Sequence, residues 1–173
     1  IEMSLSFEEQ IQNANVLLQE NELEKSIDNY QEALKLATND KQKTHLYSVL
    51  GRLYQQTRNP ESALNSFEAA LELCNKKASE ENQLEKASLL NNIAAIYTEV
   101  DTEKAIENYK AALALFAQMM EGGEAEVIPH LANTQFALAE VYNKKHDFYF
   151  AKKYYKEAIK LYERLGDDTY FPL

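Results

Sequence analysis

Apolar residues return along the chain at intervals of three and four, the period of a helix with one buried face. Phe7, Ile11, Ala14, Leu17 and Leu18 form the first such stripe. A short polar break at Asn21-Glu22 separates it from Leu23, Ile27, Tyr30, Ala33, Leu34 and Ala37. Leu46, Tyr47, Leu50, Leu53 and Tyr54 open the next pair. The polar residues between stripes supply the punctuation. Ser6 with Glu9 three residues on predicts a capping box, and Asn59 before Pro60 predicts a capped start whose missing N–H costs nothing. Asp101 and Asp147 stand where later helices should begin, Pro129 fits a first helical turn, and Gly122-Gly123 and Gly166 stand where helices should stop. The reading is eight helices in four pairs. With only four Gly and three Pro, the chain has too few breakers for a many-turned β fold, so the class is all-α.

The pairs share a second pattern. Ala94, Tyr97, Ala105, Tyr109 and Ala112 form a small-aromatic-small-aromatic-small series, two positions on one helix and three on the next. It recurs as Gly51, Tyr54, Ala63, Phe67, Ala70 and as Ala139, Tyr142, Ala151, Tyr155, Ala158. A weaker copy opens the chain as Ala14, Leu17, Ser26, Tyr30, Ala33. Helices that cross closely need small residues at the contact, and an aromatic one turn away fills the wedge between them. This series resembles the tetratricopeptide repeat (TPR) over nearly the whole chain. The resemblance implies a right-handed TPR superhelix, an α-α solenoid of four helix-turn-helix repeats, in a single domain 1-173. Its repeats would run over approximately 6-38, 41-77, 79-121 and 125-166.

Corresponding small residues are 37, 43 and 45 apart, against a usual period of about 34. The surplus falls after the third small position, and helical spacing persists over Leu71 to Lys77 and Leu113 to Met120, which predicts longer helices. Repeats of about 42 residues are similar to those of the kinesin light chain group, which LLNNIAAIY also resembles.

In such a solenoid the first helix of each repeat lines a concave face. Counted from the small-aromatic pairs, the groove residues would be Asn15 and Gln19, then His45, Arg52 and Gln55, then Asn91, Asn92 and Thr98, and last Asn133, Phe136, Glu140 and Asn143. Amides and hydroxyls predominate. Asn and Gln each offer a donor and an acceptor, which suits the backbone of a bound peptide or helix. The blander reading is that these residues are simply solvated. The Lys/Asn/Arg clamp with which some TPR domains hold the acidic tail of heat-shock chaperones is missing, since the matching positions carry Ile11, Ser48 and Asn91.

A net charge of -10 disfavours nucleic acid and acidic membranes. His45, His130 and His146 lie far apart without metal-ligand spacing, and no Gly-rich loop could cradle a phosphate, so neither cofactor nor metal nor catalysis is expected. Cys74 sits in a helical apolar stripe and reads as core. No apolar run reaches the roughly 20 residues of a membrane helix, and nothing resembles a signal peptide, so a cytoplasmic location is expected. The opening Ile1 suggests a fragment or a processed product. Tyr149, Phe150, Tyr154, Tyr162, Tyr170 and Phe171 crowd the last 25 residues beyond what the repeat explains. They predict an uncovered last helix that self-associates, as a homodimer, or packs on a neighbouring domain, unless the tail folds back over it. The leading function is thus a scaffold that binds a protein partner. The alternatives are a self-association element and the regulatory part of a larger protein.

Overall fold

The computed structural model describes residues 3–76 and 82–166. They fall into two compact units, Ile1–Ala78 and Ser79–Leu173. The first unit holds α1 (Phe7–Gln19), α2 (Leu23–Leu36), α3 (Asp40–Gln56) and α4 (Pro60–Lys76). The second holds α5 (Gln83–Tyr97), α6 (Thr102–Glu121), α7 (Ile128–Lys144), which a short 3-10 turn at Ala125–Val127 precedes, and α8 (Phe148–Leu165). Among the described residues there is no strand. The expected self-covering by Tyr170, Phe171 and Leu173 lies outside the described residues.

The caps fall where the residues demand them. Ser6 accepts from the backbone N–H of Glu9 while the Glu9 carboxylate accepts from that of Ser6 at 2.8 Å. Asn39, Asn59, Asp101 and Asp147 each accept a backbone N–H three residues on. α3 starts one residue earlier than the sequence suggested, because Asn39 is its cap and Asp40 already lies in its first turn, where negative charge favours the helix dipole. Three of the four helix-helix turns place a non-glycine residue at the same register in the left-handed region: Asn21 (φ 60), Arg58 (φ 58) and His146 (φ 63). The residue after each sends its N–H back to the carbonyl of Leu17, Tyr54 or Tyr142, which closes the helix end. In the third pair Asp101 stands at that register and is itself the cap, so its turn is one residue shorter.

All twelve small positions of the series are buried, including Ser26, whose hydroxyl donates to the carbonyl of Ala14 at 2.8 Å. In the first unit Ile27, Tyr30 and Ala33 of α2 pack with Ala14 of α1 and with Leu46, Leu50 and Leu53 of α3. In the second, Ala94, Ile106 and Tyr109 pack with Leu138, Val141, Tyr142 and Ala151. Cys74 is buried. Second helices lengthen from 14 residues in α2 to 17 in α4 and 20 in α6. α5 is buried or half-buried at every position except Leu84 and Ala95, as a helix enclosed on several sides must be.

Candidate functional site

The expected site residues sit on the first helices, α1 and α3 in one unit, α5 and α7 in the other. In the first unit Asn15 and Gln19 are exposed on α1, and His45, Arg52 and Gln55 are exposed on α3. Tyr30 of α2 reaches between these helices and donates its hydroxyl to the Asn15 side-chain carbonyl. Burial raises the Tyr30 pKa, and the Arg52 cation opposes that rise. Arg52 makes no ion pair among the described residues, unlike Lys25, Lys35 and Lys76, which pair with acids on their own or an adjoining turn.

In the second unit the polar residues are more tightly held. Tyr162 donates to the Asn133 side-chain carbonyl at 2.6 Å, and Tyr155 donates to the Glu140 carboxylate. Burial and that carboxylate together push the Tyr155 pKa up to about 12. Burial also raises the pKa of Tyr162 and of Tyr109, where a hydrogen bond with Thr98 works against it. The Thr98 hydroxyl donates to the Ala94 carbonyl at 3.0 Å. Lys144 pairs with Glu99 at 2.7 Å, joining the C-terminal ends of α7 and α5.

Not every expected groove residue is open to a ligand. Asn91 and Asn92 are half-buried on α5, and the Asn91 amide donates to the Thr134 hydroxyl of α7 at 2.6 Å. That hydroxyl donates in turn to the His130 carbonyl, while Asn91 Oδ1 is buried without a partner. Asn91 therefore ties two first helices together rather than standing on a solvated face. Phe136 is half-buried, its ring centroid 5.6 Å from that of Tyr155. Asn133, Glu140 and Asn143 are exposed along α7.

Two features escaped the sequence reading. Ala95 is exposed on α5, between Asn92 and Thr98. Tyr162 belongs to the core, 2% exposed, and not to an uncovered surface. The tyrosine tethers were foreshadowed in the series: the residue after the first small position lies 15 before the second aromatic, or 14 in the third pair with its shorter turn. Where that pair is Asn15/Tyr30 or Glu140/Tyr155 the hydroxyl finds an acceptor. Where it is Ala95/Tyr109 the hydroxyl turns to Thr98. Where it is Arg52/Phe67 no hydroxyl exists, and the guanidinium has no such tether among the described residues. Among the described residues no three His, Cys, Asp or Glu side chains gather as a metal site, and no helix is long and apolar enough to cross a membrane.

A search of curated proteins gives no match. Solved structures are similar in fold. BtubC (BKLC) from P. vanneervenii superposes with a TM-score of 0.78 at 21% identity over 96% of this chain. Aspartyl phosphate phosphatase F from Bacillus subtilis gives 0.76 at 17% over 95%, and MamA 41-end from Desulfovibrio magneticus RS-1 gives 0.71 at 18% over 94%. This chain spans 66% of the length of BtubC, 42% of the phosphatase and 78% of MamA. The tetratricopeptide repeat family profile matches residues 9–76 and 42–118, well over half of the sequence. With the buried small-aromatic register and the helix pairs, that match makes the chain a member of the tetratricopeptide repeat family.

Proposed function

We propose that this chain is a non-catalytic scaffold that takes an extended peptide or a helix of a partner protein on the polar faces of its first helices. The observation that carries this reading is the tethering of Asn15, Asn133 and Glu140 from behind by tyrosines of the second helices. A surface amide normally loses rotamer freedom when it binds, and one already held in place loses less. Arg52, exposed on α3 and without an ion pair among the described residues, adds a cation for an acidic group on the partner. The acidic balance of the chain favours a protein over a nucleic acid as that partner.

Peptides selected from a displayed random library against the whole chain test the proposal. Arg52→Ala should weaken a selected peptide by about 1 to 2 kcal/mol, as loss of a charge-assisted hydrogen bond does. Lys35→Ala and Lys76→Ala, on second helices, should leave it unchanged. Peptides indifferent to Arg52, Asn15 and Asn133 but lost on the second-helix changes would place binding on the opposite face.

A further inference from the structure

Each unit contains one junction between a second helix and the first helix that follows it, α2 on α3 and α6 on α7. Both use the same register. On the second helix the residues just after the second and third small positions face the junction: Ile27 and Leu34, then Ile106 and Leu113. On the first helix the residues five before, one before and two after the small position face it: Leu46, Leu50 and Leu53, then Thr134, Leu138 and Val141, each at most 3% exposed.

At these registers α8 carries Lys152 and Ile159, and α1 carries Glu9, Asn13 and Val16. All five are exposed; Ile159 is 44% and Val16 47% accessible. The charges on the two helices are opposite. α8 holds five bases (Lys152, Lys153, Lys156, Lys160 and Arg164) against two acids, in a chain whose net charge is -10. α1 holds Glu8 and Glu9 and no base, and Glu20 follows it directly. Among the described residues neither Lys152 nor Lys156 is in an ion pair. In the observed α6–α7 junction, Glu103 near the start of α6 accepts from Lys145 at the end of α7. The corresponding open positions are Tyr149 and Glu20, with Lys152 one turn along from Tyr149, so that edge would again bring opposite charges together, with their signs exchanged.

We infer that the open face of α8 docks on the open face of α1 of a second copy of this chain, repeating the junction between repeats. The apolar centre of the contact is Ile159 with Val16, and its rim is Lys152 and Lys156 against Glu20 and Glu9. The two faces are different surfaces, so the contact is heterologous and each added copy presents a fresh face; assembly grows instead of closing at a dimer.

Sedimentation of the full 173-residue chain over a wide concentration range is the test. The expected result is a mass that climbs from 19.9 kDa through twice that value and beyond. The pair Lys152→Glu with Lys156→Glu, and separately Asn13→Lys with Glu20→Lys, should each hold the chain at monomer mass with unchanged helicity by circular dichroism. Mixed in equal amounts, the two variants should recover assembly, because each brings the charge the other lacks. A wild-type mass fixed at 19.9 kDa, growth that stops at a dimer, variants that assemble like wild type, or a mixture that stays monomeric would each overturn the inference.

Discussion

Gly51→Ala sets two effects of opposite sign against each other. Gly51 lies in the interior of α3, where alanine is intrinsically favoured by about 1 kcal/mol. On that ground alone the variant should be more stable. A Cβ at this position, however, would lie 2.5, 2.6 and 2.8 Å from three atoms of the Phe67 ring. That ring is wholly buried, so it has no free space to swing into. Overpacking a filled core costs typically about 1 to 3 kcal/mol, and three close approaches to one rigid ring put this case in the upper part of the range. The net expectation is a loss of about 1 to 2 kcal/mol in urea unfolding, with the m-value unchanged. Phe67→Leu should recover part of that loss when combined with Gly51→Ala, giving a favourable coupling between neighbours. A Gly51→Ala chain about 1 kcal/mol more stable than wild type, with no coupling to residue 67, would refute the close-crossing argument. The contrast with Ala14, Ala94 and Ala139, which hold a Cβ at the same register, belongs to the experiment: there the facing aromatic is a tyrosine.

Thr134→Val should cost about 1 to 3 kcal/mol, since it leaves the Asn91 amide with neither end satisfied, and adding Asn91→Leu should restore most of the loss; a neutral Thr134→Val in urea unfolding would contradict the α5–α7 tie. Tyr155 has a folded pKa raised to about 12 against 10.0 unfolded, so its contribution to stability is complete below pH 10 and fades between pH 10 and 12. Absorbance titration should find, among several late-ionising phenols, one near pH 12 that Tyr155→Phe removes together with part of the alkaline loss of stability; a variant that keeps that late phase would contradict the Glu140 tether. Tyr162→Glu should cost about 4 kcal/mol or more by emptying a core position and burying a charge, whereas Tyr149→Glu, at a site 76% exposed, should change thermal stability little. Equal effects from the two would mean that the aromatic end of the chain is a single surface.

The helices, their caps and the small-aromatic register were legible because each rests on local chemistry: a cap needs one side chain, and a close crossing needs one missing side chain. Asn59-Pro60, Asp101 and Gly166 signal their roles within a few residues. The state of a polar residue on a first helix depends instead on what arrives from elsewhere in the chain. Asn91 and Asn92 look like Asn133 in sequence, yet Asn91 is consumed by Thr134, 43 residues away, and Asn133 is reached by Tyr162, 29 away. Tyr162 seemed surplus because the repeat series stops at Ala158, but it lies one turn further along the same buried stripe of α8. Exposure of Ala95 carried no signal at all, since alanine is equally at home in core and surface.

A ligand held on the first helices should leave its mark there and nowhere else. Backbone amide shifts of the isotope-labelled chain, recorded while a library-selected peptide is titrated in, test it residue by residue. The expected result is saturable shifts clustered on α1 and α3 around Asn15 and Arg52, or on α5 and α7 around Asn92, Asn133 and Asn143, with the outer faces of α2, α4, α6 and α8 unmoved. Shifts concentrated on those second helices, with the first helices silent, would contradict it.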